Sequence, residues 1–172
     1  HAFASCENLE KVVIGNSVAS IGYGAFVECR KLASVTIGNS VASIGEKAFF
    51  GCYDLSSVTL GNSVTTIGNS AFRYCSRLKS IDIPNSVTFI GSAFISCSNL
   101  RTVIIGNAVE SIDNLAFCNC DKLLSFFIKA DNPPKSNFRI PKSEFVYVPC
   151  GRLSVYQNAE EWCNFTNLRE DC

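Results

Sequence analysis

Methionine is absent from this sequence of 172 residues, and histidine and tryptophan occur once each. The single histidine is His1, at the terminus, so no histidine within the fold can act as the base of a Ser-His or Cys-His pair. No two carboxylates stand out as an acid/base pair. The recurring Gly-Asn-Ser lacks the glycine run and the lysine of a phosphate-binding loop. The sequence therefore predicts neither an enzyme nor a bound cofactor.

An excess of charge of one sign is also missing, because fifteen basic residues balance fifteen acidic ones. A nucleic-acid-binding surface needs an excess of Lys and Arg to neutralise phosphates, so nucleic acid is not an expected partner. No run of about 18 apolar residues occurs, and the sequence therefore predicts no membrane span. Hydrophobic residues nevertheless make up 47% of the chain, which is ample material for a core.

The dominant feature of the sequence is a repeat of 22 or 23 residues that starts with an Ala-Phe pair. The Phe is followed three residues later by a Cys, which is followed three residues later by a Leu and then by two alternating apolar residues. In the second unit these positions are Ala25, Phe26, Cys29, Leu32 and the pair Val35/Ile37. Repetition at this period indicates a solenoid, in which each coil buries its apolar side against its neighbours.

Leu-x-x-Val-x-Ile is the strand pattern of a leucine-rich repeat. Alternation with period two places Val35 and Ile37 inward and Thr36 outward, and strands of successive coils are expected to pair in parallel. A second apolar pair marks the returning segment, and the Ala-Phe segment is expected to close each coil as a short helical or 3-10 stretch. The predicted fold class is an α/β solenoid, a right-handed leucine-rich-repeat superhelix of mostly short parallel strands.

The repeat occupies residues 1–129, and residues 130–172 are predicted to form a C-terminal cap with a strand and a helix. The segment 131–134 is expected to be a turn or an extended link because it contains two prolines. Residues 145–149 predict a strand, and the spacing of apolar residues over 151–165 predicts a helix that carries Trp162 as a lid. The N-terminal end has no such lid and His1 falls within a repeat, so we expect the natural N-terminus to lie upstream.

Two glycine columns run through the repeats. The first contains Pro84, and proline fixes φ near about −65°, so glycine is expected there for close packing rather than for positive φ. The second column ends in Asp113, and Asp tolerates the left-handed region, so positive φ is expected there. These columns are Gly15, Gly38, Gly61, Pro84 and Gly106, and Gly22, Gly45, Gly68, Gly91 and Asp113. One coil holds only Ser92 between Gly91 and Ala93, and a surface turn is expected to absorb this deletion.

The unit Ile-Gly-x-x-Ala-Phe-x-x-Cys-x-x-Leu resembles the BspA-like leucine-rich-repeat family of bacterial surface proteins. The cap resembles that of the family as well, in Asn132-Pro133-Pro134, in Tyr147-Val148-Pro149, and in the spacing of Tyr156, Trp162 and Phe165. The resemblance implies a secreted or surface-attached protein of a host-associated bacterium, with adhesion among its candidate roles, and it implies no catalytic residues. One departure is that Gly-Asn-Ser replaces the more common Pro-x-Ser in most coils, and only the coil of Pro84 keeps it.

Six of the ten cysteines form a column, one in each coil. Side chains on adjacent strands lie about 4.8 Å apart with parallel Cβ vectors, whereas a disulfide needs Cβ atoms about 3.8 Å apart. The column is therefore expected to consist of buried, reduced thiols. The remaining four are Cys118, Cys150, Cys163 and Cys172. A Cys150–Cys163 bridge is one option among them, and a zinc site is disfavoured because no Cys-x-x-Cys occurs.

Solenoids of this kind present an extended concave surface to partners, so the outward positions of the strands are the first candidates for binding. These positions are mostly Ser and Thr, and the exceptions, Asp82, Ile104 and Phe127, lie toward the C-terminal half. Tyr53 and Tyr74 are further candidates on the turns. The two outward columns are Lys11, Ser34, Ser57, Ser80, Thr102 and Ser125, and Val13, Thr36, Thr59, Asp82, Ile104 and Phe127.

Two functions remain open at this point. The first is a non-catalytic binding module that recognises a host or matrix protein or a glycan. The alternative is a structural spacer that displays an N-terminal part and has no ligand of its own, which the bland outward columns favour. We expect a monomer, with end-to-end contact through the open N-terminal coil as a further option.

Overall fold

The computed structural model describes residues 1–135 and 145–172, in which the chain forms a parallel β-solenoid. Each of the first five repeats contributes one strand to a main sheet and a two-residue strand to a second sheet, and strand pairing in the main sheet is interrupted between the third and fourth coils. The main-sheet strands are β1 (Lys11–Ile14), β3 (Ser34–Ile37), β5 (Ser57–Thr59), β7 (Ser80–Ile83), β9 (Thr102–Ile105), β11 (Ser125–Ile128), β12 (Phe145–Pro149) and β13 (Leu168–Asp171). The second sheet contains β2 (Ser20–Ile21), β4 (Ser43–Ile44), β6 (Thr66–Ile67), β8 (Phe89–Ile90) and β10 (Ser111–Ile112). The predicted solenoid of short parallel strands is confirmed.

The core lies between the two sheets and the turns, and it is built from the repeated apolar columns. Val35 and Ile37 are buried while Thr36 between them is exposed, as the alternation predicts. The phenylalanine rings of successive coils stack face to face, with centroid separations from 5.2 Å for Phe26–Phe49 to 5.4 Å for Phe94–Phe117. Each coil therefore covers the apolar side of the next, and stability is shared along the array.

The Ala-Phe segments, expected to be short helical or 3-10 stretches, are turns instead. In the second coil the Ala25 N–H donates to the Gly22 carbonyl and the Cys29 N–H donates to the Phe26 carbonyl. Between these two bonds the backbone enters the left-handed region at Gly24 and again at Glu28, with φ of 55° and 59°. A helix cannot propagate through such residues, so each segment stays a pair of tight turns.

Positive φ occurs in two columns, and neither is the one predicted. The glycines expected to adopt it, Gly22, Gly45, Gly68 and Gly91, do not, and that prediction is wrong. They serve close approach, because a Cβ on Gly45 would lie 2.8 Å from the carbonyl oxygen of Ile21 in the preceding coil. Left-handed residues instead directly precede the alanine of the second to fourth Ala-Phe pairs, at Gly24, Lys47 and Ser70. They also directly precede the cysteine of every coil: Ser5, Glu28, Gly51, Tyr74, Ser96 and Asn119.

The single short coil keeps both sheets in register. Phe89 pairs with Thr66 on one side and with Ser111 on the other. The deletion is confined to the turn, where the Ser92 N–H donates to Asn69 Oδ1 at 3.1 Å and the Ser92 hydroxyl contacts Asp113. The expectation that a surface turn absorbs the missing residue is confirmed.

The C-terminal segment extends the main sheet and covers the last coil. β12 has the predicted bounds, but the helix α1 (Leu153–Gln157) is much shorter than the stretch over 151–165 that the sequence predicts. Trp162 lies in the turns beyond α1 and is fully buried, where its indole N–H donates to the Pro134 carbonyl at 2.9 Å. The Tyr156 hydroxyl donates to the Ala130 carbonyl at 2.7 Å. These two bonds fix the lid to the chain that leaves the last repeat.

The last strand, β13, was not predicted, and its pairing determines which cysteines form the disulfide. β13 pairs in parallel with β12, with Pro149 opposite Asp171. This register brings the following residues together, so Cys150 is bonded to Cys172 with their Cα atoms 5.0 Å apart. The Cys150–Cys163 option is therefore wrong, because Cys163 is an exposed free thiol beyond α1. In the described ranges no helix reaches the length and hydrophobicity that crossing a bilayer requires.

Candidate binding surface

One row of outward side chains in the C-terminal half of the main sheet collects three of the predicted site residues. Strand register places Asp82 opposite Ile104, Ile104 opposite Phe127, Phe127 opposite Tyr147, and Tyr147 opposite Arg169. Adjacent strands are about 4.8 Å apart, so the row is continuous. We call these five residues the C-terminal row.

The centre of the C-terminal row is aromatic. The Phe127 and Tyr147 rings are stacked, with centroids 4.6 Å apart and an angle of 9° between their planes. Phe145, two residues before Tyr147, lies 6.1 Å from the Tyr147 ring, and the Arg169 guanidinium lies 4.9 Å from the Phe145 centroid. These aromatic side chains are half-buried, so part of each ring faces solvent.

The geometry of the stack limits what it can recognise. Rings that stack across neighbouring strands have their faces turned along the row, toward Ile104 on one side and Arg169 on the other. The solvent-exposed part of each ring is therefore its edge. A partner meets an apolar ridge of ring edges, with the Asp82 carboxylate at one end of the row and the Arg169 guanidinium at the other.

The N-terminal half of the main sheet offers no comparable surface in the described residues. Its outward positions are Ser and Thr except in the first coil, where Val13 is 65% exposed. Tyr, Trp and Arg dominate the energetics of most interfaces, and Ser and Thr do not. The two halves of the main sheet therefore differ in the side chains that they offer to a partner, although their strands are equivalent.

The other two predicted site residues lie apart from the row. Tyr53 and Tyr74 are on the turns that precede the main-sheet strands. Tyr74 is half-buried against its own neighbours, with the Arg73 guanidinium 4.8 Å from its ring centroid and the Phe50 ring edge-on at 5.4 Å. Tyr53 has the Arg30 guanidinium at 5.8 Å. The structure does not bring these tyrosines together with Asp82, Ile104 and Phe127, and their part in binding stays a prediction.

The sequence prediction missed Phe145, Tyr147 and Arg169, which complete the aromatic surface. A signal was available for the first two, because 145–149 was correctly predicted as a strand with the same alternation as the repeats. Had it been aligned with β11, Tyr147 would have continued the outward column of Phe127. Arg169 lies on β13, which has three consecutive charged residues and no apolar alternation.

The cysteine column is a structural element without nucleophilic character. Each buried thiol donates to the carbonyl of the phenylalanine in the preceding coil, as in Cys52 to Phe26 at 3.2 Å and Cys97 to Phe72 at 3.2 Å. Burial raises the pKa of Cys52 and Cys120 from 9.0 to about 12. Only a thiolate is a nucleophile, so these thiols are inert at neutral pH.

Native-state alkylation tests this assignment. We expect iodoacetamide at neutral pH to modify the exposed Cys163 first and the half-buried Cys6 and Cys118 more slowly. The five buried thiols are expected to react only after unfolding, because reagent and thiolate are both excluded from the core. They are Cys29, Cys52, Cys75, Cys97 and Cys120. Intact-mass spectrometry measures the count, and equal labelling of all eight free thiols in the native state would contradict the buried column.

One group of potential metal ligands occurs among the described residues, formed by Cys150, Glu170 and Cys172. Both sulfur atoms are engaged in the disulfide. The sulfur of a disulfide is a poor metal ligand, since zinc and related ions bind the thiolate. The group therefore has no metal-binding character in this oxidised form.

The stacked coils, the Leu-x-x-Val-x-Ile strands and the outward row together define a leucine-rich-repeat solenoid. The model of the BspA type leucine rich repeat region matches residues 1–124 in six copies. The chain therefore belongs to the BspA-type leucine-rich-repeat family. No curated protein matches the chain.

Solved structures of bacterial proteins share this fold. A leucine rich repeat protein of T. pallidum is 32% identical, covers 69% of this chain and 58% of its own, and has a TM-score of 0.67. A leucine rich cell surface protein of Faecalibacterium prausnitzii is 38% identical, covers 69% of this chain and 31% of its own, and has a TM-score of 0.66. The pneumococcal vaccine antigen PcpA covers 98% of this chain and 56% of its own with a TM-score of 0.68, and at 19% identity it shows the fold alone. This chain thus spans between 31% and 58% of the length of these structures.

Proposed function

We propose that the protein is a non-catalytic binding module of the bacterial surface that contacts a protein partner through the C-terminal row. The observation that carries the proposal is the half-buried Phe127–Tyr147 stack, flanked by Ile104 and by charges of opposite sign. Rigid aromatic side chains of this kind provide large contact areas at low entropic cost. Similarity to a leucine rich cell surface protein supports the location.

A protein partner fits the row better than a glycan does. Aromatic recognition of a sugar uses the ring face, and the faces of Phe127 and Tyr147 are turned toward each other. The exposed ring edges and the apolar Ile104 instead suit the side chains of another protein. The Cys150–Cys172 disulfide supports an oxidising location outside the cytoplasm. Adhesion to a host or matrix protein is the finer form of this proposal.

The proposal predicts that truncating the stack weakens binding strongly while the fold is kept. Phe127→Ser and Tyr147→Ser are each expected to weaken binding to the matrix protein identified in a screen by about 30-fold, since a hot-spot residue contributes about 2 kcal/mol or more. Surface plasmon resonance with immobilised host matrix proteins measures the affinity. Thr36→Ala and Thr59→Ala are matched controls in the same outward column and should leave the affinity unchanged.

A structural spacer is the second candidate, and the uniform Ser and Thr positions of the N-terminal half favour it. A spacer predicts that no matrix protein binds in the screen. It also predicts that cells carrying Phe127→Ser adhere as well as the parent cells do. Those two results together would exclude the binding proposal.

A further inference from the structure

The strand β13 is held at the edge of the main sheet by few interactions. It pairs with β12 on one side, and no strand of the described residues pairs with its other side. Of its four residues only the first, Leu168, is buried, and the three that follow are charged and exposed. A short edge strand with one buried side chain gains little from apolar burial, so its local stability is low.

Side-chain contacts add to the pairing of β13 but do not cover it. The Leu153 N–H at the start of α1 donates to Glu170 Oε1 at 3.1 Å, and the Arg169 guanidinium lies 4.9 Å from the Phe145 ring centroid. Both contacts involve exposed charged groups, for which water competes, and such contacts stabilise a fold weakly. They orient β13, and its attachment to β12 depends on a further link.

The Cys150–Cys172 disulfide is that link. It joins the two residues that directly follow β12 and β13, which are separated by 22 positions in the sequence and have their Cα atoms 5.0 Å apart. A cross-link across a loop of this length restricts the detached segment, and this disfavours detachment by a factor of about one hundred. The disulfide therefore contributes most of the resistance of β13 to local opening.

Both cysteines of this disulfide are exposed, so a thiol reductant can reach it in the folded chain. One thiolate of a dithiol attacks Cys172 Sγ and expels the Cys150 thiolate, which leaves a mixed disulfide on Cys172. The second thiolate of the reductant then releases Cys172 and closes the disulfide of the reductant. The protein gains two electrons and two protons, and the dithiol loses them.

We propose that the Cys150–Cys172 disulfide is a redox switch. A low-molecular-weight dithiol opens it, β13 detaches from β12, and Arg169 leaves the C-terminal row. A disulfide persists in oxidising surroundings, so the detached form marks a reducing one. The detachment of β13 goes beyond the proposed function, whereas its effect on a partner rests on that function.

The change is expected to stay local, because the lid has its own attachments. The Trp162 indole donates to the Pro134 carbonyl, and this bond does not involve β13. The Tyr156 hydroxyl donates to the Ala130 carbonyl in the same way. β12 also remains paired with β11 on its other side. Reduction should therefore detach β13 and leave the last coil covered.

Detachment alters one end of the C-terminal row. Arg169 is the positive end of the row and lies opposite Tyr147. Once it leaves, the face of the Tyr147 ring that was turned toward it opens, and the row keeps only the negative charge of Asp82. A partner that is held by charges at both ends is then bound less tightly.

Amide hydrogen exchange of the ¹⁵N-labelled chain, with and without dithiothreitol, tests the switch without any partner. We expect the β13 amides that bond to β12 to exchange about tenfold faster or more after reduction. The amides of β11 and the fluorescence emission of Trp162 should be unchanged. Native-state alkylation followed by intact-mass spectrometry should count two further thiols in the reduced chain.

Two variants identify the disulfide as the cause. The double variant Cys150→Ser, Cys172→Ser should show fast exchange in β13 without a reductant, and dithiothreitol should have no further effect. Cys163→Ser is the matched control, because it removes an exposed free thiol of the same cap and keeps the disulfide. It should respond to dithiothreitol as the parent chain does.

Three results would overturn the switch. They are β13 exchange that reduction does not change, a disulfide that dithiothreitol leaves intact in the folded chain, and a red shift of Trp162 emission with faster exchange in β11. The last result would mean that the whole cap unfolds.

Surface plasmon resonance in the presence of dithiothreitol tests the effect on the partner. Loss of Arg169 from the row is expected to weaken binding of a matrix protein by about fivefold or more. Unchanged affinity while β13 is detached would overturn this regulatory role. If no matrix protein binds in either redox state, the proposed function fails, whereas faster exchange in β13 would still support the switch.

Discussion

Raising the pH above 9 is expected to unfold the solenoid steeply, because the buried thiols stay protonated only in the folded chain. Burial raises the pKa of Cys52 and Cys120 from 9.0 to about 12 and holds the pKa of Cys75 and Cys97 well above 9.0. In the unfolded chain these thiols lose their protons near pH 9. Above that pH the unfolded state binds fewer protons than the folded state, so stability falls as pH rises.

The size of this effect follows from proton linkage. A thiol that is protonated in the folded chain and ionised in the unfolded chain lowers the free energy of unfolding by about 1.4 kcal/mol for each pH unit above 9. Four such thiols lower it by about 5 kcal/mol per pH unit. The free energy of unfolding of a typical domain is only about 5–15 kcal/mol. The stabilisation that the buried thiols provide is present in full below pH 9.0, and we expect it to be lost before about pH 12.

Urea unfolding followed by circular dichroism at successive pH values measures this dependence. In a Cys75→Ala, Cys97→Ala double variant the slope above pH 9 should be shallower by about 1.4 kcal/mol per pH unit for each thiol removed. Burial also raises the pKa of Tyr156, and this contribution remains in the variant as an internal reference. An identical slope in the parent chain and the double variant would show that the thiols are not the cause.

Phe72→Ala is expected to destabilise the protein by about 3–5 kcal/mol, because it leaves a cavity in a stack that cannot close. Phe72 is fully buried, and its ring lies between Phe49 at 5.2 Å and Phe94 at 5.3 Å. The hydrogen-bonded coils on both sides hold these neighbours at a fixed spacing. The surroundings therefore relax little, and the contacts of both ring faces are lost.

The control for this substitution is Phe89→Ala. Phe89 lies on the second sheet and is 40% exposed. Its loss is expected to cost under about 1 kcal/mol, as for most surface changes. Equilibrium urea unfolding of the two variants at neutral pH provides the comparison. Equal effects of the two substitutions would mean that the phenylalanine column is not a rigid stack.

The fold was predictable from the sequence wherever side-chain chemistry repeats. Val35 and Ile37 alternate with outward residues, and Phe26 and Cys29 recur with their spacing in each coil, so burial and strand pairing follow from period alone. The register also follows, because a shift by one residue would turn every apolar side chain to solvent. Even the deletion at Ser92 could be placed, since only a turn tolerates it.

The features that escaped prediction depend on backbone contacts, which leave little trace in residue type. β13 is held to β12 by main-chain hydrogen bonds, and its Arg169, Glu170 and Asp171 are charged and exposed. Without β13 the pairing of Cys150 with Cys172 could not be deduced. The left-handed column was equally hidden, because Ser, Glu, Gly, Tyr and Asn all occupy it.

The candidate binding surface was likewise predictable from the sequence only in part. The sequence indicated three of its residues because they differ from the Ser and Thr that fill most of the outward columns: Asp82, Ile104 and Phe127. Tyr147 joins them through the pairing of β12 with β11.

The short coil at Ser92 has a consequence for how such arrays evolve. Strand pairing on both sides of it is unchanged, so the turn between Gly91 and Ala93 is insulated from the two sheets. The loss of one codon at this turn therefore leaves the pairing of the coils intact. The same loss inside a strand would turn the apolar side chains that follow it to solvent, so changes in repeat length are tolerated at such turns and not in the strands.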